Sequence, residues 1–590
     1  MKTQRLHLNR RTWEIFRRNL KLFLTSEQVG GKAKWLIFTL ILFLFGINAL
    51  NVLNSYVGRD FMTAIENRHF ERFVRMAVVY IGVFAASTLA AVLYRYAEER
   101  LGLLWRWWAT RETILGYAND RVYYRLKKQG EIGNPDQRIA DDIRTYCTTT
   151  LSFALIFVNA SLTVIAFSGV MWTISPLLFL VSVLYAAVGT LITVAFGRPL
   201  VRLNYDQLDK EANLRASLIY LRGNAESVAI SRREGHLIQL SLKYLGDLAM
   251  NFRRIIAVNR NLGFFTTGYN WLIQIIPALI IAPLFIEGKV EFGVITQSAI
   301  AFTQLLGAFS IIVNQFQSIS SYTAVLARLA SLMEARKKAR AAERDSPIIF
   351  SLDPSRVVYT SLTLRSPRSG RVLIRNLSLT ISQGARVLVR AKDESARAAL
   401  FLSTIGLWDA GEGRIARPTL EKILLTTEMP YLPPGTLREL FMLPWPEGKL
   451  PWKSNLADIQ VPEEQILETL RLLKIDHLVT RFGGLDQRQH WENILPLDDQ
   501  QMLVLARLLV AKPVIAFLDR PSSTLSRERV DWLLDLLKER SITAVTFESD
   551  EGELNTERYD AVLQLKEEGA WDYTPSERRE WIESPPQLIR

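Results

Sequence analysis

Apolar residues in the first half of the chain gather into six long runs that are separated by polar segments. Each run is long enough to cross a bilayer as a helix, which takes about 20 residues. We therefore predict six membrane-spanning helices, at positions 35–57, 73–94, 151–173, 175–197, 263–286 and 292–315. Beyond residue 330 the sequence has the ordinary composition of a soluble domain, so a domain of another kind follows the spans.

Two of the polar links are long and patterned for helices with one apolar face. They occupy positions 95–150 and 198–262, and both are rich in Arg and Lys, as is the N-terminal segment. Positive charge favours the cytoplasmic side of a membrane. An even number of spans returns the chain to that side, so we expect both termini in the cytoplasm. Residues 12–23 combine an apolar stripe with a basic face, which suits an elbow helix on the inner leaflet or a helix packed on the cytoplasmic domain.

The net charge bears on the partner of the protein, and the cysteine content bears on its disulfides. The net charge is +13, but Arg and Lys crowd the ends of the apolar runs, which favours a membrane as the partner and argues against nucleic acid. The single cysteine, Cys147, excludes an intrachain disulfide. We divide the chain into a basic segment with the elbow helix, a six-span domain, a linker, an α/β domain and a tail, at residues 1–34, 35–330, 331–355, 356–575 and 576–590.

Residues 384–408 have the outline of a phosphate-binding loop, in which an apolar strand leads through a loop into an apolar helix. Alignment of the motif GxxxxGK[ST] without gaps places its first Gly on Ala391, its Lys on Arg397 and its Ser or Thr on Ala398. Glycines let backbone N–H groups turn toward a phosphate, while the Lys binds its oxygens and the hydroxyl binds Mg²⁺. The substitutions predict that the fold is retained and the phosphate site is lost.

Two motifs in the cytoplasmic links point to a family. The first link contains NPDQRIADDI at 134–143, and the second contains EANLR at 211–215 followed by RGNAE at 222–226. With the six spans and the cassette outline, they resemble the exporter-type ABC half-transporters of subfamily D and the SbmA/BacA-like peptide transporters. The motif residues are Asn134, Pro135, Asp136, Gln137, Arg138, Asp142, Glu211, Arg215, Asn224 and Glu226.

The first motif lies between two long helices, which suits a coupling element that contacts the nucleotide-binding domain. Its Asn-Pro-Asp sequence is typical of a turn and cap ahead of a short helix. The alternative is a plain helix cap with a charge pair between Arg138 and Asp142, four residues apart. Glu211 and Arg215 have the same spacing and can pair along their own helix.

The resemblance also locates the other parts of the nucleotide site, and most of them are altered. The two inner glycines of the loop fall on Glu394 and Ala396, and the Gln that senses Mg²⁺ and water falls on Glu428. The signature LSxGE reads LPLDD here, so Pro496 replaces its Ser and Asp498 replaces its Gly. A carboxylate at this helix N-terminus satisfies the helix dipole and repels a triphosphate.

The remaining positions of the nucleotide site are altered in a similar way. The Walker B strand keeps its terminal Asp519, but Arg520 stands where the catalytic Glu should follow, and Ser549 replaces the switch His. Motifs that serve packing and turns, such as PYLPPGTLRE at 430–439, are retained. The resemblance therefore implies an α-helical six-span membrane domain of exporter type and a C-terminal α/β, P-loop-NTPase-like ABC cassette that is degenerate.

These substitutions predict an inactive ATPase that needs no metal site and binds neither ATP nor Mg²⁺. Family sites are composite, with the P-loop of one subunit facing the signature of the other, so an intact partner would not restore them. We expect a homodimer in a bacterial inner membrane that transports peptides or other bulky hydrophilic substrates without its own ATP hydrolysis, with an ion gradient as the candidate driving force. The alternatives are a membrane scaffold or regulator that does not transport, and a transporter with residual noncatalytic nucleotide binding.

Overall fold

The computed structural model describes residues 20–129, 133, 135–344, 347–427, 430–442, 460–549 and 556–576. Its contacts divide the chain into two compact units, Met1–Ala342 and Glu343–Arg590. The division falls inside the segment that the sequence analysis assigned to a linker.

The N-terminal unit is built from long helices that are connected by short turns. They are α1 (Gly30–Glu66), α2 (Phe70–Ala118), α3 (Val122–Gln129), α4 (Ile143–Ile174), α5 (Pro176–Gly223), α6 (Ala225–Ser231), α7 (Glu234–Ile286), α8 (Phe292–Phe309) and α9 (Ile311–Arg344). A helical turn at Pro135–Gln137 and a π-helical turn at Arg138–Asp142 lead into α4. Residues 20–25 are also helical.

Among the described residues of this unit, six helices are apolar and long enough to cross a membrane, which confirms the six predicted spans. They are α1, α2, α4 with the turns before it, α5, α7 and α8. The long polar links are continuations of the same helices, because α2 runs on to Ala118 and α5 to Gly223. The last span ends earlier than predicted, since Ser310 interrupts the helix at a turn before α9 begins.

The helices of this unit pack through small residues and satisfied polar groups. Asn48 on α1 donates its amide to the side-chain oxygen of Asn159 at 2.9 Å and accepts from the hydroxyl of Thr163 at 2.8 Å. Between α1 and α8 the backbones approach so closely that a Cβ on Gly293 would lie 2.0 Å from the carbonyl oxygen of Arg59. The contact therefore requires glycine at position 293.

The C-terminal unit contains two β-sheets. Their strands are β1 (Ile348–Leu352), β2 (Val357–Arg365), β3 (Val372–Ile381), β4 (Arg386–Ala391), β5 (Gly411–Arg417), β6 (Ile423–Thr426), β7 (Ile515–Asp519), β8 (Thr543–Ser549), β9 (Ala561–Leu565) and β10 (Trp571–Pro575). One sheet has the order β1-β5-β2-β3, and the other has the order β10-β9-β4-β8-β7-β6. In the second sheet all neighbours are parallel except the β9–β10 pair.

Helices of the C-terminal unit cover the parallel sheet. They are α10 (Glu394–Thr404), α11 (Leu437–Leu440), α12 (Glu463–Leu472), α13 (His477–Arg481), α14 (Trp491–Ile494), α15 (Leu497–Ala511) and α16 (Arg527–Glu539). Strands β4, β7 and β8 are almost wholly buried, as expected when both faces of a parallel sheet are covered. The predicted combination of six spans and a C-terminal α/β domain is therefore confirmed.

The close contact at Gly293 generates a test of the helix packing. Gly293→Ala places a methyl group against backbone atoms of α1, and we expect a loss of about 1–3 kcal/mol of stability. Thermal unfolding of the purified protein in detergent, followed by size-exclusion chromatography, measures this effect as a lower midpoint temperature. Gly307→Ala on the same helix is the matched control, because no atom lies within 4 Å of the new methyl group. Equal midpoints for the two variants would contradict the packing.

Candidate functional site

Three of the predicted site residues lie together at the carboxyl ends of the strands of the parallel sheet. Strands β4 and β8 pair so that Ala391 lies beside Ser549, and β7 on the other side of β8 ends at Asp519. The carboxyl ends of parallel strands are the usual place for ligands in α/β domains. Strand β4 ends at Ala391 and is followed by a loop and a helix. The described residues thus have the strand–loop–helix arrangement of a phosphate site.

Acidic residues occupy the helix N-terminus that follows β4. Asp393 caps α10, and its Oδ1 atom accepts a hydrogen bond from the backbone N–H of Ser395 at 2.8 Å. Its other carboxylate oxygen accepts from the guanidinium of Arg371. Glu394 is the first residue of the helix. Carboxylates here satisfy the free N–H groups and the positive end of the dipole, which a phosphate would otherwise do.

Four charged side chains form a connected set across the loop, and we call Glu394, Arg397, Asp519 and Arg520 the loop ion network. The buried guanidinium of Arg397 donates from Nη2 to Glu394 at 2.6 Å and from Nη1 to Asp519. Arg520 donates to the other oxygen of Glu394 at 2.7 Å. The residue at the Lys position of the P-loop is therefore paired with the Walker B carboxylate and with Glu394.

The remaining loop positions are filled by small side chains. Ala391 and Ala396 are buried in a hydrophobic cluster, and Ala398 is half-buried on α10. Arg520 has a left-handed backbone with a φ of 48°, and its N–H donates to the carbonyl of Phe547 at 2.9 Å. A non-glycine residue in this conformation is uncommon and costs about 1 kcal/mol or more. The sheet contact holds Arg520 in that conformation beside Glu394.

The predicted signature residues lie at a different helix. Pro496 is the exposed N-cap of α15, and Asp498 in its first turn pairs with Arg529 on α16 at 3.1 Å. Burial lowers the pKa of the Arg507 guanidinium further along α15. Glu428, the predicted Mg²⁺-sensing position, lies outside the described residues.

Sequence reasoning missed a buried carboxylate next to the site. Glu548 on β8 precedes Ser549, is buried, and accepts hydrogen bonds from the backbone N–H of Ser522 at 3.3 Å and from the Ser522 hydroxyl. A Glu within an otherwise uncharged strand, TAVTFES, was the signal available in the sequence. It also missed the Arg371–Asp393 pair, because the two residues are far apart in the chain.

The first family motif binds helix α9 within the N-terminal unit. Buried Asp142 accepts both a hydrogen bond at 2.8 Å from Nε of Arg328 and one from Nη2. Arg138 donates to the carbonyl of Arg328 at 2.9 Å and to the hydroxyl of Ser331 at 2.5 Å. Arg138 and Asp142 therefore each contact α9, rather than forming the simple pair along one helix that was the alternative.

The other motif residues have more local roles. Asp136 and Gln137 lie in the short turn that opens with Pro135, whereas Asn134 lies outside the described residues. Glu211 accepts from Gln207 one turn earlier on α5 at 3.2 Å. The remaining three residues are exposed and are Arg215 on α5, Asn224 at the junction with α6, and Glu226 in the first turn of α6.

Comparisons with known proteins place this architecture in a family. Residues 22–286 match the family described as ABC transporter transmembrane region 2. An uncharacterized ABC transporter ATP-binding protein of Synechocystis sp. is 34% identical over 554 residues, which cover 92% of this chain and 82% of that protein. ABC transporter D family member 2, chloroplastic, of Arabidopsis thaliana is 34% identical over 548 residues, which cover 83% of this chain and 78% of that protein. The chain belongs to the ABC transporters of the subfamily D type.

A more distant relative of this ABC transporter is named for its substrate. Lysosomal cobalamin transporter ABCD4 of Homo sapiens is 24% identical over 502 residues, which cover 80% of this chain and 82% of that protein. The alignments with these relatives therefore extend over most of the membrane unit and most of the cassette of this transporter. The predicted subfamily D resemblance is confirmed, and the chain is an integral, multi-pass membrane protein.

The comparisons overturn two predictions for this ABC transporter. We predicted an inactive ATPase and no binding of ATP or Mg²⁺, yet the Synechocystis relative is named an ATP-binding protein of the ABC transporters. Both predictions are wrong. The physical reason is that the strand–loop–helix frame and its charged side chains are present even though the P-loop glycines are absent. Arg397 offers a guanidinium that binds phosphate oxygens, and Asp519 keeps a carboxylate at the end of β7 for a hard cation.

Proposed function

We propose that this chain is one half of a homodimeric ABC transporter of subfamily D that uses ATP to move a bulky hydrophilic substrate across a bacterial inner membrane. The alignment over 92% of the chain carries the proposal, because it extends over both the six-span unit and the cassette of this chain and its partner is named an ABC transporter ATP-binding protein. In this proposal both termini are cytoplasmic, as the basic links favour.

The loop ion network sets how ATP enters the site. Glu394 and Asp519 hold Arg397 from two sides, so a phosphate has to compete with two carboxylates for one guanidinium. The guanidinium of Arg397 would hold phosphate oxygens of ATP in place of Glu394, and the carboxylate of Asp519 would hold Mg²⁺, which would neutralise part of the phosphate charge. Arg520, which pairs with Glu394, draws that carboxylate away from the incoming negative charge. The altered site residues in this proposal change the ionic contacts of nucleotide binding.

The substrate class rests on the relatives and on the family resemblance. The human relative is named a cobalamin transporter, and the SbmA/BacA-like proteins that the membrane motifs resemble transport peptides. Cobalamin and peptides are both large and polar. We propose a substrate of this class rather than a small ion or a free fatty acid.

An exposed apolar stripe on α7 supports the homodimer. Five large side chains recur along it with successive spacings of four, three, seven and four residues, and each is between 46% and 59% exposed: Ile238, Leu242, Leu245, Phe252 and Ile256. This heptad-like pattern is typical of helices that pack against another helix. The stripe lies in the link at 198–262, outside the apolar runs, so lipid does not cover it. A second copy of the chain is the proposed cover.

Charged residues in the stripe should therefore weaken the dimer. We expect Leu242→Glu and Phe252→Glu each to raise the dimer dissociation constant at least ~10-fold, because a carboxylate is buried without a partner. Size-exclusion chromatography with light scattering on the purified protein measures the dimer fraction over a range of concentrations. Leu352→Glu on β1 is the control, since this leucine is exposed and lies off the stripe. A stripe variant that stays as dimeric as the control would count against this interface.

Transport itself is tested in liposomes that contain the purified protein. We expect uptake of labelled cyanocobalamin or of a labelled peptide mixture to depend on Mg²⁺ and ATP, and to fall at least ~10-fold in Arg397→Ala, which lacks the cation at the loop. Arg397→Lys should retain part of the uptake, because it keeps the charge. Uptake that is equal with and without ATP would contradict the proposal, and binding of ATP without any uptake would favour the scaffold.

A further inference from the structure

Helix α2 carries four charged residues directly after its apolar run, and we call them the charge belt. They are Arg95, Glu98, Glu99 and Arg100. The sequence pattern alone assigns them to the cytoplasmic side of the membrane, because the predicted span ends at residue 94. Their depth is better judged from the helix that packs beside them.

Contacts between α1 and α2 fix the register of these antiparallel helices. At one end Phe61 lies against Phe73 with ring centroids 5.2 Å apart, and a Cβ on Gly58 would lie 3.5 Å from the hydroxyl of Tyr80. Both helices have the same rise per residue and run in opposite directions, so later residues of α2 face earlier residues of α1. By this register, Arg95 lies level with residues 39–43. In agreement, Leu40 and Ala97 belong to one buried cluster.

The charge belt is therefore level with about residues 34–43 of α1, which are the first part of the apolar run at 35–57. On α1 the surface at this level is apolar and open, with Trp35 72%, Phe38 61% and Leu42 61% exposed. On α2 the side chains of Arg95 and Glu99 are 80% and 68% exposed at the same level. One depth of the N-terminal unit thus presents an apolar surface and a charged surface.

These two surfaces cannot both face lipid. A charged side chain within the hydrocarbon costs at least about 2.5–3.5 kcal/mol, and such residues normally border water-filled cavities or pathways. Exposed aromatic and aliphatic side chains suit lipid. The apolar surface of α1 consequently faces the bilayer, and the charge belt faces water.

We propose that the charge belt lines a water-filled part of the substrate pathway and binds the charged groups of a zwitterionic, peptide-like substrate; this rests on the transport function proposed above. Its two guanidinium groups and two carboxylates offer partners for both ends of such a molecule. Arg95 donates to Glu99 at 3.1 Å, and Arg100 lies 5.7 Å from the ring centroid of Tyr96. Both arginines can exchange these exposed partners for a substrate carboxylate.

Cysteine labelling tests the water exposure without requiring transport. Cys147 is buried, so Cys147→Ala gives a background without a native thiol. Glu99→Cys and its matched control Phe38→Cys lie at one depth on the two surfaces, and Phe38 is also exposed. In liposomes, we expect a charged, membrane-impermeant thiol reagent applied to both sides of the membrane to modify position 99 at least ~10-fold faster than position 38. Similar rates at the two positions, fast or slow, would overturn the proposal.

Protection by substrate tests the binding role. A mixture of short peptides from a casein digest should slow the labelling of Glu99→Cys at least ~2-fold and leave that of a cytoplasmic control, Glu234→Cys on α7, unchanged. Equal slowing at both positions, or none at position 99, would overturn the binding role. If position 99 is water-exposed and protected while ATP-dependent uptake fails, the transport proposal falls and the charge belt stands.

Discussion

The ion pairs of Arg397 are the interaction on which the cassette site depends. Its guanidinium joins Glu394 at the start of α10 to Asp519 at the end of β7, and so connects the loop to the centre of the parallel sheet. The group is buried, where charge pairs are screened little and an unpaired charge is costly. The loop therefore keeps its shape without glycines, and in the proposed function nucleotide competes with these two carboxylates for Arg397.

The membrane unit has a comparable connection at a different place. Asp142, next to the start of α4, holds Arg328 on α9, and α9 ends at Arg344 shortly before the first strand of the cassette. The π-helical turn at Arg138–Asp142 presents both motif residues to that helix. Such turns are frequent at functional sites. The family motif thus contacts the helix that precedes the cassette in the chain.

The sequence predicted the parts of this protein that follow from local pattern. The bilayer sets the length of the six apolar runs, and the buried strand of the loop is readable from its apolar residues, so both were found. The partners of Asp142 and Asp393 were not found, because Arg328 and Arg371 are distant in the chain and an arginine carries no signal of its partner. The predicted span 73–94 and the polar link after it proved to be one continuous helix, α2, which runs to Ala118.

The error about ATP has the same origin. A motif comparison scores the side chains that are missing, whereas binding depends on which charges the fold brings to the strand ends. The fold brings Arg397 and Asp519 together at the strand ends, although the sequence around them departs from the motif. Removing the charge of Glu394 takes one competing carboxylate from Arg397 and one partner from Arg520.

Measurement of ATP affinity by isothermal titration calorimetry, with Mg²⁺ and the full-length protein in detergent, tests this account most directly. The account predicts that the wild-type protein binds Mg²⁺·ATP and that Glu394→Gln binds it ~10-fold more tightly, since the loop then holds one carboxylate fewer against the phosphate. Glu412→Gln, which changes an exposed residue on β5 of the other sheet, should match the wild type. Binding that is absent from both the wild type and Glu394→Gln, or unchanged by the substitution, would contradict it.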